Sequence, residues 1–475
     1  MLRNWSEFLS PADIKDIHDT SMRVLANVGV CFPDDEAIAI FEKHGVRTEG
    51  HTVYLSEGRV MSAVETAPAQ FTIHARNPER SVTVGDGEPV FTPAYGAPFL
   101  VDPDTGQRAP TLEDYRNLAR LAHALPNMDM MGYLMVMPSD VPAHQAYLHM
   151  LHAGMVHSDK PFIGSVEGKA GARQTMEMAS ILFGEDAASL MGERAVTIGV
   201  ISSLTPLGYS AEMLGALMEY ARWRQPVLVA AAAMGGSTAP ITLAGMLAMQ
   251  NAELLAGITL TQLINPGTPV IYGSTSTNTD MKTGALAIGS PENSLVITAI
   301  AQIARYYGLP SRSGGALTDS HSPDARSGFE SMHNLLTTVN SGIDFVLHAA
   351  GILSSFLAFS YEKFVIDDEM CGMVRRYRRG IAVAPETLAY DVIAAVGPGG
   401  NYLMESHTIE RCRSEFWQPT IGDREPIRNW MTAGRPDEAA RAKKRWQELL
   451  AEHQDPPLDK TTARQLQALV EEHAS

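Results

Sequence analysis

From residue 89 onward, short apolar runs alternate with longer segments whose apolar residues recur at three- and four-residue spacing. The run at 89–96 (PVFTPAYG) precedes a helical pattern over 111–125, and 128–137 precedes 143–157. The same order holds for 160–166 and 172–184, 194–202 and 211–224, and 226–234 and 242–264. It closes with 269–276 and 294–308, 310–316 and 327–342, and 344–352 and 361–380. Continuous apolar strands alternating with amphipathic helices predict a parallel sheet covered by helices. Eight such units are what a closed (β/α)8 TIM barrel requires; a doubly wound open sheet is the alternative. Ahead of the repeats, residues 1–88 hold a capped helix (SPADIKDIHDTSMRVLANVG) and brief strands such as FTIHAR and SVTVG, an α+β lobe. Behind them, 381–475 turns polar and charged and predicts helices packed outside the barrel. The expected architecture is therefore α/β: an N-terminal α+β lobe (1–88), a barrel (89–380) and a C-terminal helical extension (381–475).

Composition narrows the function. The 475-residue chain is 45% hydrophobic, enough for a large core, and carries 37 basic against 54 acidic residues for a net charge of −17. That surface repels polyanions, which argues against nucleic acid and anionic membranes as partners. Cys31, Cys371 and Cys412 stand alone, without CxxC spacing, as expected for a reducing compartment and not for a cysteine metal site. The first twenty or so residues lack a signal-peptide h-region, and no apolar stretch of about 18 residues appears. A soluble, cytoplasmic protein with no bound metal is expected.

In a barrel the reactive groups gather in the loops after the strands. Those loops carry Tyr95, Met137 with Asp140, Ser165 with Glu167, Ser202 and Ser203, Met234, residues 274–277 with Asp280, Asp319 with His321, and His348. The turns at the opposite end (ALPN, HSDKP, RWRQP, INPGTP) are plain. Each polar residue also has an ordinary role: Asp319 and Asp280 as helix caps, Glu167 as a solvated acid, His348 as a core histidine. As a convergent ring they make Glu167, Asp319 and His348 the candidates for chemistry. Ser165, Thr275 and the aromatic residues Tyr95, Tyr133, Phe356 and Tyr361 are the candidates for substrate contact. Ring faces attract desolvated cations, quaternary ammonium groups above all, and core packing is the competing role. There is no HExxH, P-loop or GxSxG, and His144, His149, His152 and His157 follow helical spacing and read as surface or packing residues.

The blocks STAPITLAGMLAMQNAELLAG, PGTPVIYG, DMKTGALAIGSPE, ARYYGLPSRSGGALTDSHSPDARSGFE, VGPGGNYL and SHT, in that order, resemble the trimethylamine methyltransferase family of corrinoid-dependent enzymes. The resemblance runs over nearly the whole chain. It implies a TIM barrel that moves a methyl group from a methylated amine to the cobalt of a cobalamin on a separate corrinoid protein. Archaeal members place pyrrolysine in the stretch matching DSHSPDARSGFE; here Arg326, Ser327 and Gly328 stand in that neighbourhood. The resemblance therefore implies a non-pyrrolysine member acting on a small quaternary amine, glycine betaine first. Tertiary amines, proline betaine, choline or carnitine, and a non-catalytic amine-binding barrel, are the rival readings. A quaternary nitrogen already carries its charge and needs only to be bound and aimed. Asn401 and His407, in the glycine-rich VGPGGNYLMESHT, are expected at the barrel rim against the corrinoid or its carrier, and a homo-oligomer is expected.

Overall fold

The computed structural model describes residues 5–473. Seven strands form one parallel sheet: β1 (Val90–Pro93), β2 (Phe162–Ile163), β3 (Thr197–Ser202), β4 (Val227–Ala231), β5 (Val270–Ser274), β6 (Ser311–Ser313) and β7 (Phe345–Ala350). Their spatial order is β1-β7-β6-β5-β4-β3-β2, so the first strand in sequence pairs with the last. Strands β4, β5 and β7 are buried along their whole length, as expected where helices cover one face and a packed interior the other.

The remaining gap, between β1 and β2, is filled by the extended segment 129–131. Asp129 N–H donates to Phe91 O (2.8 Å), Met131 N–H to Pro161 O (2.7 Å), and Ile163 N–H to Met131 O (3.3 Å). This is the eighth stave, so the eight-unit pattern closes into a barrel. The run expected as a strand over 128–137 is reduced to a seam with isolated bridges at Met131 and Val136. The Asp129 carboxylate explains part of the loss. It accepts the Phe91 N–H at 2.7 Å, a donor that a regular ladder would hand to a backbone carbonyl.

Eight helices follow the staves: α1 (Leu112–Ala124), α2 (Ala143–His157), α3 (Gly168–Phe183), α4 (Ala211–Arg222), α5 (Leu243–Ile264), α6 (Pro291–Tyr306), α7 (Ala325–Ser341) and α8 (Tyr361–Arg379). Thr111, Ser210, Ser290, Asp324 and Ser360 each accept a first-turn N–H, which satisfies donors the helix itself leaves open. Helices α3 and α7 stop at Gly184 and Gly342, both in the left-handed region glycine adopts without strain. Helix α5 is long and apolar enough to cross a membrane, but 78% of its apolar window is buried inside the protein. Helix Pro11–Asn27 lies along it, with Ser21 donating to Ala248 O and accepting from Asn251.

The N-terminal elements include a three-stranded antiparallel sheet and a hairpin of Phe71–Ile73 with Val82–Val84. At the other end, helix Glu438–Glu452 packs on α8 and α1, and Lys460–His473 on α2 and α3. Asp455 accepts from His157 (2.6 Å) and His453 (2.9 Å), tying the last loop to α2. Between 381 and 435 lie four short helices: Pro385–Leu388, Tyr390–Val396, Ser406–Glu415 and Ile427–Thr432. None of the four buries a residue.

Candidate active site

At the strand C-termini, side chains from β1, the seam, β2, β6 and β7 converge. Glu167, just past β2, accepts the Tyr133 hydroxyl at 2.5 Å, and Ser165 donates to the same carboxylate oxygen. Tyr220 fixes this corner from behind by donating to Ser165 O at 3.0 Å. Tyr133 and Tyr95 face each other with ring centroids 6.4 Å apart at 52°. Burial, with the Glu167 charge next in weight, pushes both phenols well above their ordinary range, so both stay protonated donors.

Across Tyr95 the character changes. His348 sits on β7 with φ 67°, a left-handed conformation uncommon for a histidine. Its Nδ1 accepts the Tyr95 N–H at 3.1 Å, and its ring lies 4.8 Å from that of Phe356. Burial, and then the nearby Arg312, hold the imidazole well below its usual pKa, so it is neutral with its proton on Nε2.

Arg312 itself is the surprise of the site. It stands in the middle of β6, is only 2% exposed, and its side chain makes no hydrogen bond or ion pair among the described residues. Its buried Nε has no partner, and burial pulls the guanidinium down to about 9. Buried arginines are nearly always paired, because an uncompensated charge away from water costs several kcal/mol. Around the barrel Arg312 on β6, His348 on β7, Tyr95 after β1, Tyr133 after the seam and Glu167 after β2 follow one another, so the two tyrosines stand between a cation and a carboxylate. The sequence held a signal for this residue: an arginine inside the run 310–316, which the alternation predicts to be a buried strand.

The family model described as "Trimethylamine methyltransferase (MTTB)" matches residues 3–475. The chain belongs to the trimethylamine methyltransferase family. A glycine betaine methyltransferase of Desulfitobacterium hafniense (strain Y51) is 47% identical over 97% of this chain and 96% of the relative. A proline betaine:corrinoid methyltransferase of Eubacterium limosum is 36% identical over 97% and 96%. The trimethylamine methyltransferase MttB of Desulfitobacterium hafniense (strain DSM 10664 / DCB-2) is 32% identical over 98% and 93%.

Several residues expected in this family member's site stand elsewhere or do other work. Asp319 caps no helix; Asp324 caps α7. The Asp319 carboxylate accepts the N–H groups of Ile288 and Gly289 (both 3.0 Å) and the Ser355 hydroxyl (2.7 Å). It ties the loops after β5, β6 and β7 together. Thr275 is held on the neighbouring loop, its N–H donating to Ala231 O at 2.9 Å. Tyr361 does not join the aromatic wall. Its ring stacks on Trp446 at 4.8 Å and its hydroxyl donates to Asp114, because it opens α8 on the barrel's outer surface under the C-terminal helix.

Asn401 and His407 are not at the rim. They belong to the segment that follows α8, anchored by Arg379 Nη2 donating to Ser414 O at 3.0 Å, while Arg378 bonding Gly87 O ahead of β1 marks this end of α8 as the barrel base. Asn401 caps its own turn through Leu403 N–H (2.8 Å). Gly397 ends its helix at φ 65° and Gly399 has φ 78°, conformations that glycine adopts in tight turns without strain. A concavity of about 500 Å³ at this base is lined by Asp129 and Arg375 and mixes charges of both signs.

Proposed function

We propose that this enzyme demethylates a small betaine, glycine betaine first, with a separate corrinoid protein as methyl acceptor. The observation that carries this reading is the buried Arg312, its side chain unpaired, separated from Glu167 around the barrel by Tyr95 and Tyr133. A zwitterion with a quaternary nitrogen at one end and a carboxylate at the other fits such a pair of poles. The ammonium group lies against Tyr95 and Tyr133 with Glu167 behind them, where ring faces and a carboxylate both favour a cation. The carboxylate lies at Arg312, which offers a planar fork of donors, and His348 Nε2–H supplies one more. Trimethylamine and tetramethylammonium leave Arg312 without an anion, and the positive pole is what separates them from betaines.

A corrinoid supplies the nucleophilic cobalt that accepts the methyl group. The chain's residues bind the donor, hold its long axis between the poles and keep water from the cation. Leu204, Ile241, Met281 and Leu357 project into solvent from the loops after β3, β4, β5 and β7. An apolar rim of this kind suits a protein surface bringing its corrinoid to the mouth. No residue of the chain needs to transfer a proton, since a quaternary ammonium leaves as a neutral tertiary amine.

The test is methyl transfer to added cob(I)alamin, followed by absorbance with glycine betaine, proline betaine, carnitine, choline, tetramethylammonium and trimethylamine. Turnover confined to the carboxylate-bearing quaternary amines supports the reading. Equal turnover of choline or tetramethylammonium would sink it, and silence with every amine favours a binding protein.

A further inference from the structure

We infer that residues 381–416 form a two-fold interface through which two copies of this chain associate. Ile381, Val383, Tyr390, Leu403 and Met404 are each 73–86% exposed. Leu388, Ile393, Ile409 and Phe416 are 52–66% exposed. With roughly 150–200 Å² for a full large side chain, these present on the order of 1,000 Å² of apolar surface. Patches on stable monomers rarely exceed a few hundred Å². A lasting protein interface takes about 800 Å² from each partner.

The occupant follows from position, charge and shape. Both ends of the segment are fixed at the barrel base: Arg376 and Arg379 at the end of α8 bond Glu415 O and Ser414 O. A corrinoid carrier must reach the opposite end, where the strands point, so it does not cover this face. Bodies of net charge −17 repel one another, and association needs a surface poor in charge. Between 381 and 409 only Glu386, Asp391 and Glu405 are charged, in a chain that is 19% charged overall, and the four charges that follow, Glu410, Arg411, Arg413 and Glu415, balance. The segment also carries a groove of about 310 Å³, lined by Ile381, Ala382, His407, Cys412 and Phe416. The apolar side chains of Leu403 and Met404 project from the same segment. Knob and groove on one patch are what an isologous contact requires, each copy filling the other.

Sedimentation of the full chain at micromolar concentration tests this. The expected mass is twice the 51.5 kDa of one chain. Leu403→Glu combined with Met404→Glu should halve it, and Tyr390→Lys should do so independently. Both variants alter side chains that are not buried, so melting should stay cooperative and glycine betaine affinity should stay within twofold of wild type. A wild-type protein sedimenting as one chain overturns the proposal, and so do folded variants that keep the wild-type mass.

Discussion

The Tyr133 hydroxyl lies 2.5 Å from the carboxylate oxygen of Glu167 to which Ser165 also donates. Two donors on one oxygen fix where the negative charge sits before any cation arrives. Tyr133→Phe keeps the ring face and removes one donor of a charge-assisted bond. Glycine betaine affinity should fall severalfold by calorimetry, and further in Tyr133→Ala, which loses the ring as well. Equal losses in the two variants would assign the whole effect to the hydroxyl.

Arg312→Met removes the positive pole and a buried charge without a partner. Hydrogen bonds to charged groups contribute about 1.5–3 kcal/mol, so betaine affinity should drop roughly 10- to 150-fold. Tetramethylammonium affinity should hold. The melting temperature should hold or rise, since an apolar side chain replaces an uncompensated ion. A large fall in melting temperature would mean that Arg312 serves the fold.

Tyr361 and Tyr95 should separate cleanly. Tyr361→Ala loses the stack on Trp446 and the bond to Asp114, so it lowers stability by about 1–3 kcal/mol and leaves betaine affinity alone. Tyr95→Ala should do the reverse, weakening affinity more than stability. Denaturant midpoints and calorimetry on the same preparations decide.

Asp319→Asn keeps one acceptor oxygen for three donors drawn from two neighbouring loops. Stability should fall by about 1–3 kcal/mol, with faster amide exchange at Ile288 and Gly289. Turnover lost with the melting curve and exchange unchanged would instead make Asp319 a participant in the reaction.

Lys160, buried at the barrel base, donates to Ala122 O and Leu125 O, and burial pulls its ammonium down to about 7. Between about pH 7 and 10 the unfolded chain holds a proton that the folded chain has released. Folded stability therefore rises with pH across that window, and the cost of the buried ammonium is full below it. Lys160→Met should erase this rise, read as denaturant midpoints at both ends of the window. Parallel pH curves for wild type and variant would refute the account.

The barrel was legible because its signal is repeated: eight apolar runs, each followed by a helical period, survive the weakness of any one of them. The unit that failed, 128–137, failed through a side chain, since Asp129 takes the bond that a backbone carbonyl would have made to Phe91. Among the site residues, Tyr95, Tyr133, Ser165, Glu167, His348 and Phe356 come together, because loops after strands must converge at one barrel mouth. Tyr361, Asn401 and His407 do not. Tyr361 opens α8 facing the C-terminal helix, and Asn401 and His407 depend on which way the chain turns after α8; residue type carries no record of either. Arg312 was missed for the opposite reason: it lies inside the run 310–316, expected as a strand, where burial points to apolar residues and gives a charge no role.

The seam at 129–131 gives the barrel wall unequal stiffness. Arg312 is paired on both sides, to Gly273 and Phe345, within the continuous part of the sheet. Tyr133 and Glu167 follow the least-paired staves, one held by isolated bridges and the other two residues long. Local opening is governed by such differences in pairing. One end of the site is therefore a fixed gauge and the other a yielding jaw. A betaine bound as proposed would be registered from its anionic end, with head groups of different bulk meeting the less-paired wall.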